Sequence, residues 1–300
     1  MKRIRNILFM LLACAATAFA QSAPSDPIFD RVYQEVKAKA DAPMQQLVTD
    51  IALQFLGTQY VASTLEDSVE QLRVYLDKTD CILFVEMCSS FALTVKGLRI
   101  VQTGDGEHFQ VNGTPSVAMA EPSYQLLCDN IRNMRYRLGF VDDYASRIHY
   151  TSEWILQNQT NGILREYSAE LGEEYEQQFY FMTANSDRYR QLADSVEWQK
   201  IRAVEQHLDE QKPFYYISQF RLYKPEVISQ IRSGDIVCFM SKQGNGIDIA
   251  HVAIAYEVDG EMHFIHASYG AKKVKIEEQT LADYANNGIR ILRFNPGLDK

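Results

Sequence analysis

The stretch DCILFVEMCSSFALTV, residues 80–95, decides how the rest of the chain is read. Asp80-Cys81 opens an apolar run that stays hydrophobic all round, which is the pattern of a buried helix, and Gly97 stops it. A cysteine at a helix N-terminus feels the positive end of the helix dipole and unpaired backbone N–H groups, which favour thiolate. Far downstream, His251 and His266 stand in two strand-like segments, AHVAIAYEV and MHFIHAS. A histidine held on a strand can take a thiol proton, and a third polar group can fix which ring nitrogen carries hydrogen. Cysteine, then histidine, then a polar residue one hairpin later predicts a cysteine hydrolase of papain-like chain order.

Working outward, residues before the central helix carry helical spacing at Pro27–Ala40 and Met44–Leu56, with Gly57 closing the second helix. After it, residues 98–111 suggest a short strand and a turn. From Tyr124 to about His207 the chain is polar and helix-prone, with Trp154 and Trp198 as expected core anchors. Beyond Pro213 its character changes. The runs IVCFM, HVAIAYEV, MHFIHAS, KKVKI and IRILRF predict five strands, and Val258-Asp259-Gly260-Glu261 predicts a hairpin between two of them. Helices first and antiparallel strands last define an α+β architecture. No repeat or linker divides the chain, so a single domain is expected over 21–300.

The first twenty residues read as a signal peptide. Lys2, Arg3 and Arg5 are followed by the apolar Ile7–Ala13 stretch, then by Ala18-Phe19-Ala20 as a cleavage site. Leu11-Leu12-Ala13-Cys14 also resembles a lipobox, which would leave the mature chain anchored through a lipidated Cys14. Either way the protein is expected to be exported, to the periplasm or the extracytoplasmic face. Removing residues 1–20 moves the formal charge from −9 to −12. So acidic a chain lacks the Lys and Arg clusters that nucleic acid demands. Four cysteines remain, and Cys81 and Cys88 are two turns apart on one helix, too far to bond each other. Cys88, Cys128 and Cys238 lie among apolar neighbours and are expected to be reduced, structural thiols.

Strand periodicity constrains the histidines. His251, Ala253 and Ala255 share one face of their strand, and Val252, Ile254 and Tyr256 share the other. His263 and His266 are three apart and point to opposite faces, so one of them can face His251. Polarity alone does not choose between them. The opposed faces also argue against a zinc shell built from His149, His251, His263 and His266, none of which forms an HExxH pattern. Arg147, His149 and Trp154, with Tyr150 and Glu153, suggest a substrate-side wall; a helix surface packed by Tyr and Trp explains them nearly as well. His108 and His207 lie in polar stretches, and Asn112-Gly113-Thr114 and Asn158-Gln159-Thr160 match the glycosylation pattern by chance in a chain with a bacterial-looking export signal.

The ordered motifs GTQYVAST, DCILFVE, RIHYTSEWI, SGDIVCFM, AHVAIAY and HFIHAS resemble the N-acetylmuramoyl-L-alanine amidase-like family, within the papain-like NlpC superfamily of bacterial cell-wall hydrolases. The resemblance runs from about Leu47 to Arg293. It implies a papain-like NlpC-type core: N-terminal helices and a central Cys-bearing helix packed on a C-terminal antiparallel sheet, with a long helical insertion at about 121–210. It implies Cys81 as nucleophile, His251 as base, His266 as the orienting residue and Tyr60 as a site-lining residue. Ala253 departs from the usual glycine and Leu83 from a frequent threonine, both beside the site. The implied substrate is a peptidoglycan or muropeptide amide, cut between muramic acid and L-Ala or at a γ-D-Glu–diamino-acid bond. No cofactor, metal or stable protein partner is implied. A non-catalytic cell-wall-binding protein on the same scaffold has no need of all three residues, and an acyltransferase or transglutaminase-like enzyme usually orients its histidine with Asp.

Overall fold

The computed structural model describes residues 25–102 and 115–300. The signal segment, His108 and the Asn112 glycosylation pattern lie outside these. Helix α1 spans Pro27–Val36 because Asp26 caps it, accepting from the Ile28 and Phe29 N–H groups, with Pro27 in the first turn. Helix α2 runs Met44–Gln54 and helix α3 Cys81–Val95. Both end two or three residues before the glycines that the sequence marks.

The Asp80 side chain caps α3 by accepting the Leu83 N–H at 3.0 Å. Every residue from Leu83 to Val95 is buried, as the all-round apolar pattern requires. Helix α4 (Tyr124–Arg135) and helix α5 (Thr151–Thr160) follow, then a longer helix α6 (Ser195–Glu210).

Eight strands form the main sheet: β1 Gln59–Tyr60, β2 Lys78–Thr79, β3 Leu164–Glu166, β4 Ile236–Met240, β5 Ile249–Val258, β6 Glu261–Ser268, β7 Lys273–Ile276 and β8 Ile289–Phe294. Their spatial order is β2-β1-β7-β6-β5-β4-β8-β3. The last five match the runs read from the sequence after Pro213. Asp259 (φ 51°) and Gly260 (φ 85°) both take the left-handed conformation that a two-residue hairpin needs between β5 and β6.

Two features differ from a sheet drawn only from the C-terminal strands. The sheet is mixed, because β1 and β2 pair in parallel at one edge. The segment 121–210 is also more than a helical insertion. Its β3 pairs with β8 as the opposite edge strand, and α4 packs directly on α3, where the Asn130 amide donates to the Thr94 hydroxyl at 3.3 Å; the same amide donates to the Leu98 carbonyl and accepts from the Ile100 N–H just past α3. A three-residue strand among polar helices leaves little periodicity to read.

The sheet faces divide the core. Val252, Ile254, Ile265 and Ala267 pack with α2 and α3 in the main cluster. Ala253, Ala255, Phe264, Ile289 and Ile291 pack on the other face beneath Leu222, Val227 and Leu281. A third cluster, including Tyr150, Phe179, Ile201, Leu208 and Phe214, holds the helical segment together. Trp154 belongs to the main core and Trp198 packs, partly buried, on the third.

A buried polar knot joins these layers. Asp248 accepts from Ser152 on α5, from the Tyr175 hydroxyl at 3.0 Å and from Arg290 on β8 at 3.0 Å, while Arg290 also clamps Glu166 on β3 at 2.7 and 2.8 Å. Among the described residues no helix is long and apolar enough to cross a membrane. The four described cysteines are all free thiols.

Candidate active site

Three elements meet at one end of the sheet. Helix α3 delivers Cys81 as its first residue, and the Cys81 thiol lies against the backbone N–H of Val252, the residue after His251 on β5. The register pairs Phe264 with Ala255 and Ile265 with Ile254, so alternation puts His266 of β6 on the face of His251. Their rings meet, Nε2 of His251 lying 2.8 Å from Nδ1 of His266. His263 points away: its Nδ1 faces the backbone carbonyls of Glu277 and Gln279 at 3.0 and 3.1 Å. The structure thus brings Cys81, His251 and His266 to one locality and leaves His263 outside it.

Aromatic rings enclose the histidine pair. Phe239 stacks on His251 with centroids 5.6 Å apart, and Phe264 and Tyr284 stand edge-on to His266. Burial, and then the neighbouring His266, hold the His251 pKa down at about 3; burial holds His266 at about 4. Both rings are therefore neutral near pH 7. Burial pushes the Cys81 thiol up to about 12, and the adjacent Asp80 carboxylate adds to it, against the N–H groups of Val252, Ile82 and Cys81 itself. The sequence leads one to expect a thiolate favoured by the helix terminus. The structure corrects this: desolvation and the capping carboxylate outweigh the dipole, and the resting thiol is neutral.

Tyr60 lies beside Cys81. Burial, then Cys81 and Asp80, raise its phenol to about 12, so it is a hydroxyl donor at neutral pH. Its ring meets exposed Tyr269 edge-on at 5.6 Å, and the Lys272 ammonium sits 3.4 Å from the Tyr269 ring centre.

Arg147, His149 and Trp154 line a cavity of about 70 Å³ with Ile82, Leu83 and Glu86 of the first turns of α3. Arg147 is committed to Glu66 at 3.0 Å and Glu70 at 3.2 Å. His149 meets the Tyr144 carbonyl at 2.8 Å and is held neutral by burial. Trp154 is nearly fully buried. A larger open cleft of about 700 Å³, between α2, Tyr167 and Arg232, includes none of the expected site residues.

Sequence reasoning missed one neighbour of the constellation. Nε2 of His266 lies 3.2 Å from a carboxylate oxygen of Glu277, just past β7. The approach is off the ring N–H direction, so the contact is electrostatic rather than an aligned hydrogen bond. In the sequence Glu277 opens the polar stretch Glu277-Glu278-Gln279, where nothing sets it apart from solvated charge. Lys275 approaches the same carboxylate at 3.4 Å.

A model of the family AmiA-like, N-acetylmuramoyl-L-alanine amidase-like, matches residues 50–290. No curated protein matches the chain. Among solved structures, an N-acetylmuramoyl-L-alanine amidase from Bacteroides uniformis superposes with a TM-score of 0.69 at 27% identity, covering 84% of this chain and 99% of its own. A Bacteroides fragilis protein named as a candidate xylanase gives 0.67 at 27% identity, covering 81% and 98%. A Legionella pneumophila protein at 19% identity gives 0.60, covering 89% and 94%, a likeness of fold alone. With the family model spanning most of its length, this chain belongs to the N-acetylmuramoyl-L-alanine amidase-like family.

Proposed function

We propose that the protein is an exported cysteine amidase that cleaves peptidoglycan fragments at the bond between muramic acid and L-Ala. The observation that carries the reading is the Cys81 thiol against the Val252 N–H, one residue from a His251 ring already engaged with His266. Nε2 of His251 is taken by that contact, which leaves Nδ1 to accept the thiol proton.

In this mechanism Sγ attacks the lactyl carbonyl as its proton passes to His251 Nδ1. The oxyanion is met by the Cys81 backbone N–H and the protonated Tyr60 hydroxyl. The C–N bond then breaks, His251 returns the proton to the departing alanine amine, and a thioester remains on Cys81. Water, deprotonated by His251, releases the muramic acid carboxylate. The choice of bond rests on the family and on the Bacteroides uniformis amidase; the resemblance to the wider superfamily keeps a γ-D-Glu–diamino-acid endopeptidase as the alternative. The basic and apolar N-terminal pattern supports export.

The test is mass spectrometry of purified muropeptides after incubation with residues 21–300. Free muramic acid disaccharide with intact stem peptide is the expected product set. Cleavage within the stem would favour the endopeptidase, and intact substrate would support a binding protein. Activity should survive chelation and vanish with a thiol-blocking reagent; loss on chelation, restored by zinc, would overturn the cysteine mechanism.

A further inference from the structure

The His251–His266 pair poses a proton-placement problem that the three-residue mechanism leaves open. Both rings are neutral, so each carries one N–H, and a single hydrogen occupies the 2.8 Å gap between them. If His266 supplied it from Nδ1, His251 would accept on Nε2 and hold its own hydrogen on Nδ1. That tautomer cannot accept the thiol proton. The productive arrangement is the reverse, with the hydrogen on His251 Nε2 and bare nitrogens at His266 Nδ1 and His251 Nδ1.

Nothing within the pair selects between these arrangements. The choice must come from the far side of His266, where Nε2 is buried and has no aligned hydrogen-bond partner among the described residues. The group facing it is the Glu277 carboxylate, at 3.2 Å.

We propose that Glu277 is a positioning residue that sets the tautomers of both histidines. A carboxylate accepts and does not donate when ionised, so it favours hydrogen on His266 Nε2. His266 Nδ1 is then bare, His251 must donate from Nε2, and His251 Nδ1 is left as the base. One carboxylate thereby fixes a proton two rings away, with no contact to substrate.

The surroundings keep Glu277 ionised. Burial raises its pKa, but the Gln279 N–H, Lys275, the Glu278 N–H and His266 together bring it below the ordinary value. The charged and titratable groups around it are His266, Lys275 and Tyr284, with His263 against its backbone carbonyl and Glu278 exposed beyond Lys275. The backbone also anchors it: Glu277 Oε1 accepts the Glu278 N–H at 2.9 Å, and the Glu277 N–H donates to the Phe264 carbonyl at 2.9 Å. The Glu277 backbone is thus pinned just past β7, and its carboxylate is held there by the Glu278 N–H.

The inference rests on the proposed base role of His251, and its test is chosen so that the two can fail separately. The tautomers of His251 and His266 are read by nitrogen-15 NMR on the folded wild type and on Glu277→Gln, Glu277→Asp and Glu278→Gln. Muropeptide turnover is followed in parallel. In the wild type His266 should be the Nε2–H tautomer and His251 the Nε2–H tautomer. Glu277→Gln, whose amide can donate as well as accept, should give mixed tautomers. Its kcat should fall roughly tenfold or more, with KM within about twofold, because a wrong tautomer disables the base and leaves binding intact. Glu277→Asp should restore the wild-type tautomers and part of the rate, and Glu278→Gln should change neither. A single unchanged tautomer in Glu277→Gln, or a wild type with hydrogen on His266 Nδ1, would overturn the proposal. If even the wild type hydrolysed no muropeptide, the functional reading would fail while the NMR still decided the role of Glu277.

Discussion

The proposed mechanism starts from a neutral Cys81 thiol and a neutral His251, and the reactivity of Cys81 should carry that signature. Alkylation by iodoacetamide should be slow at pH 6 and still rising above pH 8.5, since burial holds the thiol pKa at about 12. Cys88, fully buried two turns deeper, should label only on unfolding. A Cys81 labelling midpoint below pH 7 would show a thiolate–imidazolium pair and contradict the neutral resting state. The two strand histidines should separate as cleanly. His251→Ala, which removes the proton acceptor, should lower turnover by roughly 10²–10⁴-fold. His263→Ala, facing backbone carbonyls outside the site, should stay within a few-fold; the reverse ranking in folded variants would discard the assignment.

At the scale of elements, α3 and its cap couple stability to reactivity. Asp80 both accepts the Leu83 N–H and raises the Cys81 pKa. Asp80→Asn keeps a capping oxygen and removes the charge, so the thiol should titrate at lower pH with little loss of stability. Asp80→Ala should lower the thiol pKa too, and cost about 1 kcal/mol for the lost cap. Parallel thiol titrations and denaturant melts check this; an unchanged thiol pKa in Asp80→Asn would show that burial alone sets it.

Elements of this kind were the legible part of the sequence. The α3 run, the five late strands and the Asp259-Gly260 turn each carry their own periodicity or turn chemistry. Alternation also narrowed the histidine partner to one of two, and the register of β5 on β6 favours His266. What stayed hidden depends on distant pieces of chain meeting. Glu277 looks like surface charge until β7 sets it beside His266. The thiol pKa depends on how deeply Cys81 is packed, which no local pattern encodes. The strands β1, β2 and β3 are two or three residues long, too short for alternation to register.

For the molecule as a whole, two consequences of burial can be measured. His251 and His266 have folded pKa values near 3 and 4, below the 6.5 of the unfolded chain. The unfolded state therefore binds more protons below pH 6.5, and stability falls as pH drops, by up to about 1.4 kcal/mol per unit per histidine. Melting temperatures should decline from pH 7 to pH 5, and His266→Asn should flatten that slope; equal slopes would mean that other groups govern it. The Asp248 knot should matter at the same scale. Asp248→Ala leaves Arg290 buried with one partner fewer and should cost about 3–5 kcal/mol in denaturant unfolding.

The strand order has a further consequence, in time rather than in space. Cys81 and His251 are separated by 170 positions in the sequence, and β8, which joins β4 to β3, forms from residues 289–294. Contacts between such remote segments are slow to form, because the chain between them must be closed into a loop before they repay its entropy. The meeting of Cys81 with His251 thus waits on β5, and the sheet that holds β5 is completed only when β8 has been made. On the proposed mechanism, a nascent chain holds its thiol before its base, and hydrolysis becomes available only after the C-terminal strands have formed.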